Sequence, residues 1–169
     1  MDARAQLLDI LRTAYQIEVD GYTFYAMTAE KAAKPAVKEL FQKLADDEVQ
    51  HQSFLKGIGK RYDKEGAGAY AVKLPPADMS AVTGKVFTDR FHEQARGAVF
   101  EMGVLSVGLT LETNAMAHFH KAAEAADSKE VREFYRFLAE WEKQHFDALN
   151  ALYGSLRSDF WGAGGFSPF

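Results

Sequence analysis

An internal repeat constrains the fold of this chain more than any other feature of its sequence. Residues 18–55 and 112–149 align without a gap after a shift of 94 residues, and 12 of the 38 aligned positions are identical. Each copy carries a glutamate followed 30 residues later by a Glu-x-x-His motif. Apolar residues in both copies recur with the three-and-four spacing of a helix face. The chain is therefore predicted to contain two copies of one helical hairpin.

The apolar stripes and the helix-breaking residues between them predict four helices, at about residues 3–32, 36–58, 98–126 and 129–152. Residues 57–80 are rich in glycine and proline, so we expect a long crossover at about residues 59–97. Residues 153–169 are assigned to an aromatic C-terminal tail, in which the glycine-rich segment 158–169 is predicted to be non-helical and to pack on the helices or on a partner subunit. These elements predict a single all-α domain over residues 1–169, an antiparallel four-helix bundle of two hairpins joined by one crossover.

Polar residues interrupt the apolar stripe of each predicted helix. Glu18 and Glu112 lie within the stripes of the first and third helices, and a Glu-x-x-His pair interrupts each of the other two. Each uncompensated buried carboxylate would cost several kcal/mol, whereas two divalent cations would neutralise four of them. Oxygen and imidazole ligands suit iron or manganese, and zinc can substitute. The sequence predicts two metal ions, iron first among the candidates, bound by Glu18, Glu48, His51, Glu112, Glu142 and His145.

Composition excludes several other classes of function. The chain has no cysteine, which excludes disulfides, thiolate zinc sites, iron-sulfur clusters and a cysteine nucleophile. A net charge of -4 provides no basic field for nucleic acid or an anionic membrane. The N-terminus lacks the pattern of a secretory signal, and no apolar stretch reaches roughly 18 residues. We therefore expect a cytoplasmic protein that binds neither nucleic acid nor a membrane.

Four segments of the chain, EVDGYTFY, LADDEVQH, LETNAMAHFH and LAEWEKQH, resemble the ligand segments of the rubrerythrin branch of ferritin-like proteins. The resemblance implies a ferritin-like bundle in which the six residues are ligands and either Glu48 and Glu142 or the other glutamate pair bridges the metals. It also implies an oxidoreductase that reduces hydrogen peroxide or dioxygen with electrons from a separate donor, such as a rubredoxin-like protein. Two alternatives are ferritin-type iron oxidation and sequestration, and a structural bundle stabilised by a redox-inert metal such as zinc.

The sequence departs from the rubrerythrin pattern at two points. Typical members carry a rubredoxin domain with iron-binding cysteines, and this chain has no cysteine. Typical members also place a seventh ligand, a glutamate, three residues after the glutamate of the third helix, where this chain has Ala115. The repeat mate of Ala115 is Gly21. Small residues at both positions predict a cavity for a small oxidant one turn from the ligands.

Other residues near the predicted ligands have weaker assignments. Tyr25 shares the face of Glu18, so it is predicted to hydrogen-bond a ligand carboxylate or to supply an electron, and the alternative is a core tyrosine. Asp47 is predicted to orient a histidine, and the alternative is a solvated carboxylate. His92, His118 and His120 are predicted to be surface residues without chemistry. Residues 103–111 are apolar nearly all round, which predicts a homodimer.

Overall fold

The computed structural model describes residues 3–70, 78–96 and 98–163, and these residues form helices and turns without a strand. The elements in chain order are α1 (Ala3–Lys31), α2 (Pro35–Glu65), a 3-10 helix (Gly66–Tyr70), α3 (Ser80–Thr83), α4 (Lys85–Ala95), α5 (Val99–Ala125) and α6 (Lys129–Ala163). The prediction of an all-α fold is confirmed. Among the described residues, no helix combines the length and the apolar character needed to span a lipid bilayer.

Local chemistry accounts for where the long helices begin and end. Pro35 opens α2, a position where its missing N–H would have no intrahelical partner. Gly66 ends α2 with a φ of 55°, a conformation that favours glycine because it has no Cβ. The Ser128 hydroxyl accepts a hydrogen bond from the backbone N–H of Val131 at the start of α6. Each boundary thus follows from a specific residue.

The long helices pack as two hairpins, with α1 along α2 and α5 along α6. Both hairpins contribute to two separate clusters of buried apolar side chains. The Phe41 cluster includes Tyr25, Phe41, Leu44, Leu105 and Leu149. The Phe119 cluster includes Leu11, Leu55, Phe119, Phe134 and Leu138. On each of the four helices, the predicted ligands fall in sequence between the residues of one cluster and those of the other, so they form a polar layer between two apolar layers.

The second helix extends seven residues beyond its predicted end at residue 58, to Glu65. Gly57 and Gly59, the first glycines of the segment whose composition predicted the crossover, both lie inside α2. Ile58 is buried, and a Cβ at Gly59 would lie 3.5 Å from the Leu11 side chain of α1. Packing against α1 therefore outweighs the low helix propensity of glycine.

Two other predicted boundaries also differ from the structure. The predicted helix end at about residue 152 and the expectation of a non-helical segment from residue 158 are both wrong as far as Ala163, because α6 continues to that residue and buries Leu156 in the Phe41 cluster. The expected crossover at residues 59–97 is also partly helical, since α4 packs on α2 and α6 through Phe87 and Phe91. The rest of the tail, residues 164–169, and the side chains of residues 158–163 lie outside the described part of the chain, as do residues 71–77 of the crossover.

Candidate metal centre

The structure brings the six predicted ligands together in the polar layer. They come from all four long helices: Glu18 from α1, Glu48 and His51 from α2, Glu112 from α5, and Glu142 and His145 from α6. None of the six is more than 4% exposed. Four carboxylates and two imidazoles thus share one buried site to which both hairpins contribute.

Glu48 lies between the two histidines and belongs to two groups of possible metal ligands. One group is Glu18, Glu48 and His51, and the other is Glu48, Glu112, Glu142 and His145; within each group, one ligand atom per residue lies within 4.8 Å of the others. Glu48 Oε2 is 3.3 Å from His51 Nδ1, and Glu48 Oε1 is 3.4 Å from His145 Nδ1. One oxygen of the Glu48 carboxylate therefore faces each imidazole.

Glu18 and Glu112, the glutamates on the first helix of each hairpin, each lie near one histidine. Glu18 Oε2 is 2.9 Å from His51 Nδ1, and Glu112 Oε1 is 3.5 Å from His145 Nδ1. Each hairpin therefore pairs the glutamate of its first helix with the histidine of its second, which matches the twofold repeat in the sequence.

Several buried polar atoms of the site lack a hydrogen-bond partner within the described part of the chain. They are Glu18 Oε1, Asp47 Oδ2, Glu48 Oε2, Glu142 Oε1 and both ring nitrogens of His145. A buried polar group without a partner costs about 1–3 kcal/mol, so six such atoms in one layer indicate a missing positive group. Oxygen and imidazole donors in this number fit two divalent cations of the iron or manganese type, and zinc fits as well.

The pKa shifts of the predicted ligands also favour a site for positive charge. Burial and the neighbouring charge of Glu48 raise the pKa of Glu18 to about 8. Burial and the charges of Glu18 and Glu112 raise the pKa of Glu142 as well. Burial alone would lower the pKa of His145, but the surrounding carboxylates outweigh it and raise this pKa. Without metal the site holds protons, and a bound cation would take their place.

Tyr25 contacts the site as the sequence suggested. Its side chain is fully buried, and its hydroxyl donates a hydrogen bond to Glu112 Oε1. Burial, followed by the charges of Glu112 and Glu48, raises the pKa of Tyr25, so the phenol stays protonated. Tyr25 therefore fixes one oxygen of Glu112 and leaves the other available.

Asp47 is buried beside His145, so it is not the solvated carboxylate of the alternative prediction. Asp47 Oδ2 lies 3.8 Å from His145 Nε2, and Oδ1 accepts hydrogen bonds from the side chains of Lys43 and Gln50. Burial opposes ionisation of Asp47, but the contacts with His145 and Lys43 prevail and lower its pKa. Asp47 is therefore an ionised carboxylate facing the ring nitrogen of His145 that points away from Glu48 and Glu112.

The sequence reasoning missed Trp141. Its indole stacks on the His51 imidazole with ring centroids 4.1 Å apart and an interplanar angle of 8°. Phe54 and Phe137 pack against the indole, each with ring centroids 4.9 Å away. Trp141 is the repeat mate of Asp47, and this position directly before a ligand glutamate was the available signal.

A cavity of about 340 Å³ opens beside the ligands where the two small residues lie. Gly21 and Ala115 line it together with Glu48, Glu112 and Glu142. Polar side chains also border it, namely Thr13, Gln16, Asp20, Asn114 and His118. His118 is exposed, as expected, and it also lines this cavity.

Gly21 lies against the shared carboxylate. A Cβ at this position would lie 2.6 Å from Glu48 Oε1, well inside van der Waals contact. The absent side chain therefore gives Glu48 the space that it occupies between the two histidines.

Comparison with known families confirms the resemblance seen in the sequence. Residues 9–82 match the family model of Rubrerythrin. The matched segment contains most of α1 and all of α2, and therefore Glu18, Glu48 and His51, half of the predicted ligand set. No curated protein and no solved structure matches the chain.

Proposed function

We propose that this chain, which is rubrerythrin-like over residues 9–82, holds two iron ions in a ferritin-like four-helix bundle and reduces hydrogen peroxide or dioxygen. The observation that carries the proposal is the buried layer of four carboxylates and two imidazoles, several of whose atoms lack partners within the described residues, beside a cavity. The two hairpins, each supplying half of the layer, support the bundle arrangement.

The distances support one assignment of the ligands. Glu18 and His51 would hold one iron, Glu112, Glu142 and His145 would hold the other, and Glu48, which belongs to both groups, would lie between them. When bound in the ferrous state, the two ions would supply the two electrons that, with two protons, convert hydrogen peroxide to two molecules of water.

The surrounding residues prepare the site for this chemistry. Tyr25 holds Glu112 through a hydrogen bond, and Asp47 faces His145. The two apolar clusters above and below the ligands exclude bulk water, which strengthens the electrostatic interactions within the layer. Ala115, standing where typical rubrerythrins have a seventh ligand, leaves room for the oxidant in the cavity.

Electrons would come from a separate protein, such as a rubredoxin-like donor, because these 169 residues contain no cysteine to hold a second redox iron. A homodimer in the cytoplasm is part of the same proposal. Exposed apolar side chains of α5 support the dimer, since Val99, Phe100 and Val107 are 72%, 46% and 47% exposed.

Metal analysis combined with anaerobic peroxide mixing tests the proposal. Protein purified after iron-replete expression should contain two irons per chain, and its ferrous form should be oxidised rapidly by hydrogen peroxide in stopped-flow absorbance. Glu142→Gln, which keeps the shape of the side chain, should lower both iron content and rate. The matched control is Glu140→Gln, an exposed position on the same helix, which should change neither.

Three outcomes would overturn the proposal. Rapid oxidation by dioxygen with accumulation of a ferric mineral would indicate ferritin-type iron storage. Two zinc ions that stabilise the fold without any redox reaction would indicate a structural site. Equal rates in Glu142→Gln and Glu140→Gln, with helical content unchanged by circular dichroism, would show that the reaction does not use this layer.

A further inference from the structure

The sequence repeat makes the two halves of the site nearly equivalent, but it breaks at the residue that each hairpin presents to the opposite histidine. Asp47 of α2 faces His145 of α6, and Trp141 of α6 stacks on His51 of α2. Asp47 and Trp141 are repeat mates, as are His51 and His145. The same structural position thus holds a carboxylate in one half and an indole in the other.

The carboxylate determines how His145 is presented to a metal. Asp47 Oδ2 faces Nε2 of the ring, so Nδ1 is the ring nitrogen that faces Glu48 and Glu112. The 3.8 Å separation exceeds hydrogen-bond length, so a movement of about 1 Å would close it. An outer carboxylate of this kind orients the imidazole and makes it a stronger ligand.

The indole gives His51 a different environment. A stacked aromatic face fixes the plane of the imidazole by packing but accepts no hydrogen bond in the plane of the ring. His51 Nδ1 instead lies within hydrogen-bond distance of Glu18. Binding of a metal by His51 must therefore break an existing contact, whereas neither ring nitrogen of His145 has a hydrogen-bond partner among the described residues.

The two histidines also differ in the number of carboxylates grouped around them. The group around His145 contains three carboxylates, those of Glu48, Glu112 and Glu142. The group around His51 contains two, those of Glu18 and Glu48. A first divalent cation gains more charge compensation near His145 than near His51.

From these differences we infer that the two metal positions are inequivalent and fill in order, the position on His145 first and the position on His51 second. Asp47 is the positioning residue that sets this order, and Trp141 is an intrinsic reporter of the second step. The inference rests on the ligand set of the proposed function, but it concerns metal binding and not turnover.

A cobalt titration monitored by fluorescence tests the order. The chain has two tryptophans, so Trp161→Phe leaves Trp141 as its single indole. Cobalt(II) added to the metal-free variant can be counted by its visible absorption, and a paramagnetic ion bound to the stacked imidazole quenches the Trp141 emission. The His145 ring lies 5.2 Å from the His51 ring, one ring further from the indole. We therefore expect some quenching during the first equivalent and a steeper fall during the second, when cobalt binds the stacked imidazole itself.

The role of Asp47 is tested in the same background by Asp47→Asn, with Asp46→Asn as the matched control because Asp46 is exposed. Asp47→Asn should weaken the first binding step by about 10- to 100-fold and shift quenching toward the first equivalent. Asp46→Asn should leave both steps unchanged. A purely structural role of Asp47 would lower stability without changing the order in which the two signals appear.

Other outcomes overturn the inference. Fluorescence that falls in proportion to bound cobalt across both equivalents would show two equivalent positions, and this result does not depend on the folding of Asp47→Asn. Identical titrations for Asp47→Asn and Asp46→Asn would refute the role of Asp47. Failure of the protein to bind cobalt would refute both the order of filling and the role of Asp47. Ordered binding in a protein that does not reduce peroxide would instead overturn the proposed function and leave this inference standing.

Discussion

Replacement of Gly21 by alanine should damage the metal centre while leaving the fold intact. The added Cβ would lie 2.6 Å from Glu48 Oε1 and 3.1 Å from its carboxyl carbon, whereas ordinary contact begins near 3.4 Å. The Glu48 carboxylate must therefore retreat by roughly 0.8 Å from its place between His51 and His145, where its oxygens now lie 3.3 and 3.4 Å from the ring nitrogens. A displacement of about 1 Å in a reacting site can lower a rate by about 100-fold.

Stability should respond differently from activity. The clashing atoms belong to the end of a flexible side chain, so the backbone of α1 need not move. Alanine is favoured over glycine inside a helix by about 0.8–1.0 kcal/mol, which offsets the cost of moving Glu48. The free energy of unfolding of metal-free Gly21→Ala should therefore equal or slightly exceed that of the parent protein in urea denaturation.

Stopped-flow oxidation of the ferrous protein by peroxide, together with metal titration, provides the assay. Gly21→Ala should lose about 100-fold in rate and bind its metals more weakly by about 10-fold or more. Gly103→Ala is the control, since a Cβ there meets nothing within 4 Å, and it should gain helix stability without changing the rate. Parent-like metal affinity and rate in Gly21→Ala would refute the view that the position of Glu48 between the two histidines matters.

Three further results are expected. Burial raises the folded-state pKa of Glu18 from 4.5 to about 8, and nearby carboxylates raise the pKa of His145. The folded metal-free protein therefore binds more protons than the unfolded chain between pH 5 and pH 8. Its free energy of unfolding in urea should fall as the pH rises through this range, and a flat profile would contradict this. Tyr25→Phe removes the hydroxyl that donates to Glu112 and should lower the free energy of unfolding of the metal-free protein by about 1–3 kcal/mol; an unchanged urea midpoint would count against the contact. Ala115→Leu should fill part of the cavity and slow peroxide consumption at unchanged iron content, and unchanged rates would show that the oxidant enters elsewhere.

The layer of ligands was predictable because two independent patterns coincide in the sequence. The apolar stripes fix which side of each helix faces inward, and the repeat shows that the polar exceptions recur at matching positions. Tyr25 was predictable for the same reason, since it lies seven residues after Glu18 on the same face. Periodicity therefore identifies buried polar residues even where it does not show what binds them.

The sequence suggested a histidine partner for Asp47 but not which residues of the two hairpins face each other, because periodicity within a helix says nothing about the register between helices. The opposed roles of Asp47 and Trp141 depend on how α2 and α6 are aligned across the site. The predicted end of the second helix was wrong for a related reason. The glycines at 57 and 59 reduce local helix propensity, but Ile58 continues the buried stripe and Leu11 packs close to Gly59. Tertiary packing decided these boundaries.

The division of the metal centre between two hairpins affects when a cell can load it. During synthesis the first hairpin emerges with Glu18, Glu48 and His51, whereas His145 and its carboxylates exist together only after α6 has been made. A nascent chain therefore offers an incomplete and weakly binding ligand set. Under the proposed function, metal would therefore be selected after translation, and metal availability where the chain has folded would help to determine which ion is bound.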